Sequence, residues 1–146
     1  MRLDQDFKEF IALLNEHEVR YLIVGGYAVA VHGHPRYTKD LDVWILTETG
    51  NADRLLSALE EFGFGSLGLT QGDFVTRDQV IQLGYPPNRI DILTSLEGVS
   101  FEDCYDSRAV VELEGLLVPF ISLDDLRKNK RALGRHQDLA DLENLK

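Results

Sequence analysis

Cysteine, methionine and tryptophan occur once each in this 146-residue chain, as Cys104, Met1 and Trp44, and proline only four times. One cysteine cannot close an intrachain disulfide or supply a multi-thiolate metal cluster, which fits a reducing compartment. No apolar run approaches the ~18 residues of a membrane span, so no membrane association is expected. The opening MRLDQDFKEF lacks the basic-then-apolar layout of a secretion signal, and a cytoplasmic protein is expected. Basic residues are also scarce. Fifteen Lys and Arg stand against twenty-five Asp and Glu, a formal charge of −10, which argues against broad electrostatic adhesion to nucleic acid or to an anionic membrane. The basic residues cluster locally in RKNKRALGRH, residues 127–136.

Hydrophobic residues make up 44% of the chain and charged residues 27%, ordinary for a globular protein. With neither repeat nor linker in evidence, one α/β domain over residues 1–146 is expected, with a mixed central sheet flanked by helices. Residues 4–18 space Phe7, Phe10, Ile11, Leu13 and Leu14 as one helix face. Tyr21–Val24 reads as a buried strand broken by Gly25-Gly26, followed by a helix over Tyr27–His32 that Gly33 and Pro35 stop. A strand over Leu41–Leu46 and a helix over Asn51–Phe62, ended by Gly63, come next. Short strands are predicted at Phe74–Thr76, Val80–Tyr85 and Arg89–Leu93, with Pro86-Pro87-Asn88 turning between the last two. Val110–Leu113 and Leu116–Phe120 read as a hairpin, and Ser122 as the cap of a helix before a short closing helix at Asp138–Leu145.

The chemistry lies in "YLIVGGYAVAVHGHPRYTKDLDVWIL", residues 21–46, where two aspartates enter a strand otherwise built for burial. Alternation along a strand puts Asp40, Asp42, Trp44 and Leu46 on one face. Like charges this close raise each other's pKa, and a partly buried pair calls for a neutralising cation. Magnesium, which takes oxygen ligands and leaves positions for a phosphate, suits them. In RIDIL the same alternation sets Arg89 and Asp91 against Ile90 and Ile92. If the two strands pair, Asp40, Asp42 and Asp91 converge, as two-metal phosphoryl transfer requires. Gly25 and Gly26 would let backbone amides approach a phosphate.

The order strand, Gly25-Gly26, helix, Asp40-x-Asp42 and later Asp91 on a strand resembles the nucleotidyltransferase superfamily typified by DNA polymerase beta. The resemblance covers about residues 20–95 well and the hairpin and helices of 108–146 loosely. "GGYAVAVHGHPRYTKDLDVWI" looks most like a small bacterial branch of toxin-type and minimal antitoxin-type nucleotidyltransferases. The thirteen residues between Gly26 and Asp40 are a long gap for the superfamily pattern.

The resemblance implies that Asp40 and Asp42 bind two magnesium ions, manganese being able to replace them, and that Asp91 holds the ion at the acceptor hydroxyl. Gly25 and Gly26 would then contact an NTP, ATP being the expected one. Its NMP would pass to an unidentified hydroxyl on a small molecule, an RNA end or a protein side chain. Arg36, Thr38 and Lys39, just before Asp40, can touch a triphosphate or be an ordinary polar loop. Lys128 and Arg131 can clamp a phosphate or, like Arg135, serve the helix dipole. His32 suits a helix C-terminus better than a metal, and Trp44 either walls a base pocket or fills the core. A different class of function stays open: a catalytically silent module of this fold that binds a partner protein, as in a toxin–antitoxin pair. The short chain leaves room for an acceptor carried by a protein partner or by a second copy in a homodimer.

Overall fold

Six apolar segments pair into one mixed sheet: Tyr21–Val24 (β1), Leu41–Ile45 (β2), Val80–Leu83 (β3), Ile90–Leu93 (β4), Ala109–Leu113 (β5) and Leu116–Phe120 (β6). Their order across the sheet is β3-β4-β2-β1-β6-β5. The structure is a computed structural model that describes residues 3–34, 38–84 and 88–145. β2 runs antiparallel to β1 and parallel to β4, while β6 lies parallel to β1. β3 and β5 close the two edges antiparallel to their neighbours. Every residue of β1 is buried, and so is every residue of β2 except Asp42. This is why both strands read as nearly continuous apolar runs, for a central strand covered on both faces has no solvent side to alternate with.

Helix α1, Gln5–Glu16, starts where the Asp4 carboxylate accepts the Asp6 N–H at 2.9 Å, and it buries Phe7, Phe10, Ile11 and Leu14. It packs beside α3, Thr49–Leu59, which buries Ala52, Leu55, Ala58 and Leu59. Asn51, at the start of α3, ties the ends of β1 and β2 together. Its side chain accepts from Arg20 N at 2.7 Å and donates to Leu46 O at 2.9 Å. On the sheet face that carries Trp44 lies α4, Phe101–Asp106, with the Phe101 ring edge-on to the indole at 5.1 Å. Helix α5, Leu123–Leu133, begins at Ser122, whose hydroxyl accepts from Asp125 N. It is drawn against the chain after β4 by Asn129, which donates to Glu97 O at 3.0 Å. Gly98 permits that approach: it has φ +80, and a β-carbon there would lie 2.5 Å from Ala132 Cβ. Gly134 ends α5 in the left-handed conformation, and α6, His136–Asn144, folds back along it.

Several boundaries differ from the sequence expectation. The helix after β1, α2, spans Gly25–Val31, so the glycine pair forms its first turn instead of a break ahead of it. The regular turns of α3 stop at Leu59, but helical backbone runs on through Phe62 and is broken at Gly63, φ 106, where the sequence expectation ended the helix. The expected strand at Phe74–Thr76 is a 3-10 turn, Gln71–Phe74, because Thr70 and Asp73 cap each other and bend the chain before it can extend. Helix α4 was not anticipated at all. Pro35, expected to stop α2, Tyr85, the expected end of the strand from Val80, and Pro86 and Pro87 of the expected turn lie outside the described residues. Among the described residues, no helix is long and apolar enough to cross a membrane.

Candidate active site

Asp42 and Asp91 are register partners on the parallel strands β2 and β4, and residues paired in this way project to the same face of a sheet. Asp40 lies two residues before Asp42, ahead of β2. On the other side, Asp42 is the register partner of Val24, the last residue of β1. The chain leaves β1 through Gly25, at φ +67, directly against the Asp42 carboxylate, where a β-carbon would overlap Oδ2. Strand pairing thus gathers Gly25, Asp42 and Asp91 at one end of the central strands.

Arg89 spans two of the acids. Its Nε donates to Asp91 Oδ1 at 2.9 Å, and its Nη2 to Asp91 Oδ2 at 3.1 Å and to Asp40 Oδ2 at 2.9 Å. None of these bonds goes to Asp42. Burial, followed by the charges of Asp91 and Asp40, raises the Asp42 pKa to about 7, against weaker opposition from Arg89 and Lys130. Asp42 is therefore a carboxyl whose ionisation is held back for want of a closer cation.

Lys130 was not singled out by its sequence position. It is 5% exposed and reaches Asp138 Oδ1 and Asp141 Oδ2, each at 3.1 Å, and both of these acids are fully buried. Arg135 adds a 2.6 Å bond from Nε to Asp138 Oδ2. Burial would raise the Asp138 pKa, but the bonds from Arg135 and Lys130 hold it below the usual carboxylate range. A clue was present, since Asp138 and Asp141 stand three apart on a helix and so share a face. Nothing local marked Lys130 among five basic residues as the one turned inward.

The other expected residues fall in different places. Thr38 is half-buried and Lys39 exposed, Gly26 is buried in the first turn of α2, and Arg36 lies outside the described residues. Lys128 is 62% exposed with its Nζ 3.7 Å from Asp125 Oδ1, and Arg131 is exposed. Neither is among the charges that move the Asp42 pKa, whereas Lys130 is. His32 Nε2 is bonded to Ile121 O at 2.7 Å, which ties the end of α2 to the end of β6. Trp44 is 2% exposed.

Among the described residues, no group of three or more His, Cys, Asp or Glu side chains is gathered so as to hold a metal ion. Magnesium does not need such a cage, because it is usually bound by one or two carboxylates together with the substrate's phosphates. Asp42 and Asp91 are oxygen donors of that kind, side by side, and Asp42 lacks the cation that would let it ionise. The residues present fit a magnesium ion that arrives with its nucleotide.

The fold is that of the nucleotidyltransferases. The chain belongs to a family described as nucleotidyltransferase of unknown function (DUF6036), matched over residues 1–146. Solved structures with this fold include TM1012 from Thermotoga maritima, assigned to the nucleotidyltransferases, at 16% identity and a TM-score of 0.65, covering 94% of this chain and 88% of that one. A second is the lincosamide antibiotic adenylyltransferase LnuA in its lincomycin-bound form, at 16% identity and a TM-score of 0.58, covering 99% and 96%. A third is an antigenic nucleotidyltransferase-like protein from Paracoccidioides brasiliensis, at 20% identity and a TM-score of 0.56, covering 96% and 72%. At such identities the likeness carries the fold alone. No curated protein matches the chain.

Proposed function

We propose that this chain is a magnesium-dependent nucleotidyltransferase that moves an NMP from an NTP, ATP first among them, to a hydroxyl acceptor. The observation that carries the reading is the register pairing of Asp42 with Asp91 beside a residue that must be glycine. Asp42 and Asp91, joined by Asp40, would hold magnesium, which when bound supplies positive charge against the charge that develops on the phosphoryl oxygens. Gly25 keeps the approach to Asp42 clear. Asp91 would orient the acceptor hydroxyl, and Arg89, which bridges Asp40 and Asp91, would share their neutralisation with a bound ion. Gly26, Thr38 and Lys39 would meet a triphosphate, and Arg36, which lies outside the described residues, is proposed for the same role from its sequence position alone. Lys128 and Arg131 approach from α5, where the buried Lys130 anchors the helix. The lincosamide adenylyltransferase among the solved neighbours favours ATP and a small hydroxylated acceptor over an RNA end or a protein side chain.

One observation favours a second reading, a silent partner-binding module of the toxin–antitoxin kind. Arg89 already satisfies Asp40 and Asp91, as a retired metal site would be satisfied. Incubation with each α-labelled NTP, magnesium and a cell extract from the source organism separates the two readings. Transfer of label that requires magnesium and is lost in Asp42→Asn supports the enzyme. Absence of label with all four NTPs, together with failure of magnesium–ATP to raise the melting temperature, would leave the binding module.

A further inference from the structure

The hairpin of β5 and β6 ends the sheet, and its outer strand has an open edge. Glu114 and Gly115, at φ 51 and φ 88, form a two-residue turn, the kind in which the flanking pair, here Leu113 and Leu116, exchanges hydrogen bonds. Alternation from that pair turns the backbone N–H and C=O of Ala109, Val111 and Leu113 toward β6 and those of Val110 and Glu112 outward. Among the described residues no strand pairs with this edge. Edge strands are usually blunted by shortness, lysine, proline or a bulge. The opposite edge is limited in this way, since the four residues of β3 lie between Asp78 and Gly84, both left-handed at φ 59 and φ 81. β5 runs for five residues in unbroken register, and Glu112 is its only charge.

The side chains follow the same alternation. Val110 pairs with Pro119 and Glu112 with Leu117, so these four share one face, where Val110 is 53% and Leu117 62% exposed. Arg108 stands two residues before Val110 and is exposed. Its guanidinium lies 4.0 Å from the centre of the Tyr105 ring, and Nη1 donates to Tyr105 O at 2.7 Å. On the other face Ala109 and Val111 are only half-buried.

We propose that the edge of β5 pairs antiparallel with β5 of a second copy of this chain, with Val110 on the two-fold axis. Outward backbone groups must meet outward groups, and charge then selects the register. Centring on Glu112 sets two carboxylates face to face, and centring on Val111 sets each carboxylate against a valine. Centring on Val110 places Arg108 of each copy opposite Glu112 of the other, and opposite charges across neighbouring strands stabilise the pairing. The two Val110 residues exchange hydrogen bonds, and Glu112 N–H donates to Arg108 C=O of the second copy. Arg108 N–H keeps its bond to Tyr105 O at 3.3 Å. Pro119 and Val110 of both copies then form one apolar row across the joined sheets, and Ala109 comes beside Val111 of the second copy. Each chain carries a formal charge of −10, so a self-contact needs opposite charges at the point where the copies meet. A single strand pair is a small contact, below the roughly 1,200 Å² of a standard interface, and the dimer is therefore weak and reversible.

Sedimentation velocity of the full chain without nucleotide, from about 10 to 500 μM in about 0.15 M salt, where charges farther apart than about 8 Å are screened, reads the association. The expected result is a reversible monomer–dimer equilibrium. Val110→Lys sets two like charges on the axis and abolishes it. Glu112→Arg and Arg108→Glu each weaken self-association about tenfold or more. An equimolar mixture of those two variants associates as wild type does, because every Arg again faces a Glu. Circular dichroism verifies the fold of each variant, and Val110→Lys, at an exposed position outside the Arg108–Tyr105 contact, decides the matter by itself. A chain that stays monomeric up to the highest concentration overturns the proposal and leaves the edge to a strand of a different protein. A dimer indifferent to Val110→Lys is held by another surface and overturns it equally. β5 is separated from β2 by β1 and β6, so neither result touches the nucleotidyltransferase reading.

Discussion

Gly25 and Asp42 leave no room for a β-carbon between them: the backbone of Gly25, at φ +67, lies flush against the Asp42 carboxylate. Two independent requirements thus fall on one residue, a left-handed backbone and an absent side chain. Replacement by alanine meets both. The left-handed conformation alone costs about 1–2 kcal/mol for a residue with a β-carbon, and the overlap with Oδ2 adds to it by pushing Asp42 out of line with Asp91. Gly25→Ala should melt earlier than wild type and lose the stabilisation given by magnesium–ATP. A variant that melts early yet keeps the full ligand-induced shift would show that Asp42 does not need this alignment.

Asp42 makes stability depend on pH in the direction opposite to most carboxylates. Its pKa is raised from 3.8 to about 7 in the folded protein, so between those values the folded state holds a proton that the unfolded state has released. Stability then falls as pH rises through this window and levels off above it. Asp42→Asn removes the dependence. Wild type and variant should match near the acid end of the window, and the variant should be more stable above it by roughly 2–4 kcal/mol, as measured by urea unfolding at a series of pH values. The same proton must leave when a cation binds. Calorimetry in two buffers of different ionisation enthalpy should therefore find close to one proton released per magnesium–ATP bound on the acid side of about 7, and almost none well above it. Proton release that is flat across this range would place the nucleotide away from Asp42.

Arg89 holds Asp40 and Asp91 as a cation would, and it competes with any metal for them. Arg89→Gln should lower the melting temperature of the free protein, because the acids lose their partner, and should raise the Asp42 pKa further, because Arg89 opposes that rise. Manganese binding followed by electron paramagnetic resonance should tighten above pH 7. Unchanged or weaker manganese binding would mean that Arg89 belongs to the assembled site and does not act as a stand-in for the ion.

The arrangement of Gly25, Asp42 and Asp91 was legible in the sequence because each sits in or beside a short apolar strand, where alternation fixes the face of a side chain. The family resemblance rests on those same residues. The sequence also placed Arg89 on the face of Asp91, but its bridge to Asp40 depends on the pairing of β2 with β4, which no local pattern encodes. Helix α4 was missed because it is six residues long, too short for an amphipathic period to repeat. Lys130 was missed for the opposite reason. It lies in a helix so rich in charge that an inward-facing lysine looks like its neighbours until Gly134 turns α6 back and brings Asp138 and Asp141 onto it.

That burial separates Lys130 from Lys128 and Arg131, and mutation should separate them as well. Lys130→Met takes a cation from the buried Asp138 and Asp141, and breaking such a pair typically costs about 3–5 kcal/mol. Asp138 also keeps Arg135, which points to the lower end of that range. Adding Asp141→Asn to Lys130→Met should recover part of the loss, since one buried charge goes with its partner. Lys128→Ala and Arg131→Ala behave differently if they meet phosphate. Stability should change little, while affinity for magnesium–ATP falls about tenfold to a hundredfold, the worth of one charge-assisted contact. If they serve only the helix dipole, each replacement instead lowers stability by a few tenths to about 1 kcal/mol and leaves the affinity alone. Calorimetric titration of the three variants beside their urea midpoints distinguishes these outcomes. ATP affinity equal to wild type in both Lys128→Ala and Arg131→Ala would remove α5 from the nucleotide site and leave it the structural task of holding α6 through Lys130.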